Sequence, residues 1–135
     1  MAESDKATVI VVMANIAQAL SHPTRLRILE LLRGEGAYVM DLTEWTGRPQ
    51  ANISQHLAIL RDAWLVVAER EGMAVRYRIK DDRVFDVMEK MKVLAEAQIA
   101  SGAVSRMEQS PKFQKMMQKC KGGKMPRGRK MWKKW

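Results

Sequence analysis

The sequence predicts a mostly α-helical protein with one small β-hairpin, arranged as a winged helix-turn-helix. Three observations carry this prediction. Ile53, Leu57, Leu60 and Trp64 fall on one helical face of "TGRPQANISQHLAILRDAWL". A short helical stretch, "DLTEWTG", precedes them and stops at Gly47, as the first half of a helix-turn-helix does. The following "LVVAEREGMAVRYRIK" alternates with period two on either side of Gly72, as a hairpin does.

The elements follow in chain order. Residues 7–20, "ATVIVVMANIAQAL", form the first helix, with Val9, Met13, Ile16 and Leu20 in one stripe. Ile10, Val12, Ala17 and Ala19 widen that stripe, so the helix should be buried on two sides, the second open to another chain. In "SHPTRLRILELLRGEG", Ser21 or His22 caps a helix that has Pro23 in its first turn, where a missing N–H costs nothing. Leu26, Leu29 and Leu32 space its core face, and Gly34 and Gly36 end it. "AYVMDLTEWTG" begins extended, and Asp41 or Thr43 opens the next helix. Arg48-Pro49 then starts the helix with the apolar stripe.

In the hairpin, Val75, Tyr77 and Ile79 alternate with Arg76, Arg78 and Lys80, which predicts one apolar and one basic face. A long helix over 81–104 starts at Asp81 and Asp82, where carboxylates suit the helix dipole. One more helix or two short ones follow, broken near Pro111, and from Lys121 on the Gly-, Pro- and Lys/Arg-rich composition predicts disorder. The division expected is a winged helix-turn-helix domain over 1–104 and a basic, Met-rich, partly disordered extension over 105–135.

Charge is unevenly spread. The net charge is +9, yet residues 111–135 hold ten Lys or Arg and no acid, while residues 1–110 sum to −1. A basic arm on a neutral body suits an anionic polymer. No uncharged apolar run approaches the roughly 20 residues that cross a bilayer. Glu3 and Asp5 stand where a secretory signal would be basic, so a cytoplasmic protein with no membrane partner is expected. Cys120 is the only cysteine, which rules out an internal disulfide.

"LSHPTRLRILELL", "DLTEWTG", "QANISQHLAILRDAWLV" and "REGMAVRYRI" together make the chain resemble the ArsR/SmtB family of prokaryotic transcriptional repressors over about half its length. The resemblance implies a homodimer whose first and last helices pack across the two-fold. It also implies a recognition helix in the major groove and a hairpin wing on the flanking groove or backbone. Gln50, Asn52, Ser54, Gln55 and His56 then have a purpose, because their mixed donors and acceptors match base edges. Asn52 and Gln55 are assigned to base edges, and Gln50, Ser54 and His56 to bases or phosphates. The family's Ser and His contacts carry over to Ser54 and His56. Arg70, Arg76 and Arg78 are the phosphate candidates of the wing. Two positions depart from the family pattern. Trp64 stands where a glycine is usual, and the expectation is that the helix ends differently and Trp64 packs beneath the wing. The wing tip carries Met73 where relatives are more basic.

The family's thiolate metal sites are not expected. Tyr38 and Met40 stand near the usual thiolate positions, and the Asp/His site that other relatives place between the last helices is not expected either, since the helix over 81–104 has no histidine. No cofactor is expected. Cys120 sits among Met116, Met117, Met125 and Met131, with Lys115, Lys119 and Lys121 close by, a setting for a redox or soft-metal site or for plain helix packing. The function expected is a DNA-binding transcriptional repressor, bound as a homodimer to a palindromic operator, its effector unknown. The alternatives are a winged-helix module for protein or RNA, or a thiol or soft-metal sensor acting through Cys120. No nucleotide loop, metal constellation or Cys/His nucleophile pair points to an enzyme.

Overall fold

Helix α1 (Glu3–Ala19) opens the computed structural model, which describes residues 3–120. It begins four residues before the predicted start and stands apart from the core. Only Ala19 is buried, while Val9, Ile10, Val11, Val12 and Met13 are exposed. Among the described residues, nothing supplies the two-sided burial expected of this helix.

α2 (Pro23–Leu31) is capped by His22, whose Nδ1 accepts the Thr24 N–H at 3.1 Å. Ile28 and Leu29 are fully buried, and Leu26 only half. β1 (Ala37–Tyr38) is the predicted extended piece, and it joins the wing as a third strand. Gly36 permits this, since its φ is +79° and a Cβ there would lie 2.3 Å from the Tyr77 carbonyl oxygen. α3 (Val39–Thr46) opens earlier than predicted. Asp41 lies in its first turn and reaches back to accept the Tyr38 N–H at 3.2 Å.

Gly47 ends α3 in the left-handed conformation with φ 70°, and α4 (Gln50–Asp62) follows with Pro49 as its N-cap. Thr46 fastens this turn, its hydroxyl donating to the Leu42 carbonyl at 2.6 Å and accepting the Arg48 N–H at 3.2 Å. β2 (Val66–Glu71) and β3 (Ala74–Ile79) form the hairpin, and the antiparallel sheet has the order β1-β3-β2. α5 (Arg83–Ala100), α6 (Val104–Met107) and α7 (Pro111–Cys120) complete the fold. Pro111 begins a helix, as its fixed φ favours.

Ile28, Leu29 and Leu32 meet Leu42, Ile53, Leu57, Leu60, Val66 and Met88 in one core. Burying a side chain of this size contributes about 1.5–3 kcal/mol, so the helix-turn-helix is the best-anchored part of the molecule. α5 contributes Val84, Phe85 and Met88, then leaves Val87, Met91, Val93, Leu94 and Ile99 in the open. α7, the last described helix, lies against α2 of its own chain. The open apolar face among the later helices belongs instead to α5. The basic stretch from Lys121 on, with Met125, Met131, Trp132 and Trp135, falls outside the described residues.

Candidate nucleic-acid interface

The apolar stripe of α4 points Ile53, Leu57 and Leu60 into the core, which turns the opposite face outward. Gln50, Ser54 and Gln55 are exposed and Asn52 is half-buried. None of these four side chains holds a hydrogen bond to another described residue. The outer face is thus a set of amides and a hydroxyl with unused donors and acceptors, and no acid lies among them.

His56 departs from the expectation. It is only 7% exposed, because it sits on the flank of the apolar stripe and turns under the helix. Its Nδ1 lies 3.2 Å from Arg25 Nη1, and its ring centroid lies 4.5 Å from that of His22. A guanidinium only donates, so Nδ1 accepts and the proton of neutral His56 rests on Nε2. Burial, then the neighbouring His22, Arg25, Arg48 and Lys119, push its pKa down to about 4. His56 is therefore a support of α4 rather than a residue presented to bases or phosphates.

Arg25 completes this support. It is buried, and its Nε donates to the Ala19 carbonyl at 2.6 Å and its Nη2 to the Gln18 carbonyl at 3.2 Å. These carbonyls end α1, where the helix dipole is negative and favours a cation. One guanidinium thereby joins the end of α1 to the flank of α4. Sequence reasoning misses Arg25, since an arginine two places after a proline gives no sign of burial. It also misses Arg48, whose Nη2 donates to the Lys119 carbonyl and so fastens α7 beside the start of α4.

The wing differs from prediction as well. Register pairs Val67 with Arg78 and Glu69 with Arg76, so these residues share one face with Glu71. Arg78 Nε lies 2.6 Å from the Glu69 carboxylate. Arg76 Nε donates to Glu71 at 2.8 Å, and its other nitrogens reach the Glu35 carbonyl and the Tyr38 hydroxyl. Tyr38 in turn donates to Glu71 at 2.6 Å. The face predicted to be basic is thus nearly charge-balanced. Arg70 is exposed on the other face, opposite Val75, and holds no ion pair among the described residues.

Trp64 is the sharpest correction. It is left-handed with φ 62°, and it is 72% exposed rather than packed beneath the wing. Lys80 Nζ sits 4.7 Å from its ring centroid. Cys120 is a free, exposed thiol at the end of α7, with its carbonyl accepting from Arg27 at 3.3 Å. Among the described residues, no three His, Cys, Asp or Glu side chains lie close enough together to hold a metal ion. No described helix is long and apolar enough to cross a membrane.

Comparison with known proteins agrees with this geometry. The profile of the bacterial regulatory proteins of the arsR family matches residues 22–67. The HTH-type transcriptional regulator CmtR of Mycobacterium tuberculosis is 40% identical over 72 residues, covering 53% of this chain and 61% of CmtR. This chain therefore spans less than two thirds of that relative. An HTH-type transcriptional regulator of Methanocaldococcus jannaschii is 42% identical over 76 residues, 56% of this chain and 85% of its own length. Among solved structures, the homodimeric winged helix-turn-helix DNA-binding domain of a Mycobacterium bovis protein superposes with a TM-score of 0.65 at 29% identity, covering 73% of this chain and 91% of that domain. With its helix-turn-helix, its wing and these relatives, the chain belongs to the ArsR family of bacterial regulatory proteins.

Proposed function

We propose that the protein is a transcriptional repressor that binds a palindromic operator as a homodimer. One observation carries this reading: the outer face of α4 holds amides and a hydroxyl without partners among the described residues, as a surface that reads base edges requires. Gln55 and Asn52 meet base edges, and Gln50 and Ser54 meet bases or phosphates. Arg70 meets the backbone from the wing, with Arg76 and Arg78 shaping it. Occupying the operator is itself the repressive act.

The dimer follows from the apolar faces that one chain leaves open. Val9, Ile10 and Met13 on α1 and Val87, Met91 and Leu94 on α5 are too many to face water in a stable monomer. The homodimeric Mycobacterium bovis domain supports the same assembly.

A footprint on the DNA upstream of the protein's own coding sequence tests the reading. Two protected half-sites about one helical turn apart are expected. Gln55→Ala should cost about 1–3 kcal/mol on that site and little on random DNA. Equal loss on both would reduce Gln55 to a backbone contact. Ile10→Asp should shift the sedimenting species from dimer to monomer, and an unshifted dimer would remove α1 from the interface.

A further inference from the structure

α7 carries Lys112, Lys115 and Lys119 at helical spacing, so that the three ammonium groups fall within one stripe. All three are exposed and hold no ion pair among the described residues. Phe113 and Met116, on the neighbouring face, are half-buried, and the helix lies against α2. Two arginines hold its last turn in place. Arg27 donates to the Cys120 carbonyl and Arg48 to the Lys119 carbonyl. Arg48 immediately precedes Pro49 and α4, so the lysine stripe ends at the DNA-reading helix. The charge of Lys119 is felt there, since it helps hold His22 and His56 neutral.

We infer that α7 is a second DNA-backbone surface, in which Lys112, Lys115 and Lys119, continued by Arg48, grip phosphates flanking the half-site read by α4. The inference deepens the proposed function and rests on it. Duplex DNA is the partner that the arrangement favours. The body up to residue 110 is nearly neutral, and the wing ties Arg76 and Arg78 to glutamates, whereas these lysines hold no ion pair among the described residues. A helix that masked α4 from DNA would need acids at this place, and α7 has none.

The test uses the full chain and a 40-bp duplex of random sequence, titrated from low to moderate salt, with the upstream DNA in parallel. The triple variant Lys112→Gln, Lys115→Gln, Lys119→Gln should flatten the plot of log affinity against log salt by about 0.9 for each phosphate no longer neutralised, or roughly 3–5 per dimer. The ratio of specific to random affinity and the melting temperature should stay unchanged. Arginine at the same three positions should restore the wild-type slope. An unchanged slope in the glutamine variant overturns the inference, and so does tighter binding, which would make α7 a mask. Wild-type protein that binds both duplexes alike would instead defeat the operator reading, while the slope difference still decides the role of α7. Wild-type protein that binds neither duplex defeats both.

Discussion

The recognition helix and the wing were both expected to offer hydrogen-bonding and charged groups to DNA, and they treat those groups in opposite ways. α4 leaves Gln50, Asn52, Ser54 and Gln55 without hydrogen-bond partners among the described residues. The wing engages Arg76 with Glu71 and Arg78 with Glu69, so that its charges mostly satisfy one another. The difference shows that a basic residue in a DNA-binding element is not by itself a phosphate contact. What decides is whether an acid lies within reach across the strands: Arg76 faces Glu69 but pairs diagonally with Glu71, and Arg78 faces Val67 but pairs with Glu69.

The strongest way to break the contrast is to unseat α4 while sparing the wing. Arg25→Leu strips the donor from the buried Ala19 carbonyl and from His56 Nδ1, while the part-buried Gln18 carbonyl keeps Ser21 as a donor. It should destabilise the fold by about 3 kcal/mol, since each unsatisfied buried group costs about 1–3 kcal/mol. Chemical denaturation measures the loss. Hydrogen exchange should rise in α4 and at the end of α1 before it rises in β2 and β3, and uniform exchange would contradict the supporting role of Arg25.

Acid probes the same support. The pKa of His56 is lowered in the folded state, so its neutral form contributes stability that is fully present above the ordinary value of 6.5 and is lost as pH falls to about 4. Burial lowers the pKa of His22 in the same sense. Unfolding in that window should take up about one proton on account of His56 alone. His56→Gln should remove that proton from the pH dependence of stability, and an unaltered dependence would place its titration elsewhere.

The wing can be converted to resemble α4. Glu69→Gln with Glu71→Gln releases Arg78 and Arg76 from their ion pairs. Binding to any duplex should tighten at low salt, with the slope steeper by about 0.9 for each additional phosphate neutralised. The melting temperature should hardly change, because these pairs are largely solvent-exposed and screened. An unchanged slope would mean that this face of the wing does not approach DNA. The smallest effect lies where helix meets wing. Trp64→Gly relieves a left-handed tryptophan and should stabilise the fold by about 1 kcal/mol. A lower melting temperature would instead assign a stabilising role to its contact with Lys80.

Much of the fold is legible in the sequence, because apolar spacing and turn chemistry act locally. Pro23, Gly47 and Pro49 mark helix boundaries by their own backbone preferences, and Gly72 marks the hairpin tip. The site is less legible, because partner choice is not local. Nothing near His56 in sequence shows that Arg25, thirty-one positions away, will occupy its Nδ1. The strand pairing that sets Glu69 and Glu71 beside Arg76 and Arg78 depends on register, which alternation alone leaves open. Trp64 escapes sequence reasoning because avoiding the left-handed conformation is cheap for a residue in isolation. Here the chain needs that turn to bring Val66 into the core, and the tryptophan accepts it.

Arg25 has a consequence on a larger scale. In the proposed dimer, α1 lies against its counterpart, and the bonds from its last carbonyls through Arg25 to His56 join that contact to each recognition helix. The separation of the two reading heads is then a fixed length, like the jaws of a calliper. One base pair inserted at the operator centre moves the half-sites apart by about 3.4 Å and rotates one against the other by roughly a tenth of a turn. A calliper with rigid jaws cannot follow both changes, so such an operator should bind little better than random DNA. With Arg25→Lys, which keeps the charge but not the three-way grip, the penalty for the inserted base pair should shrink.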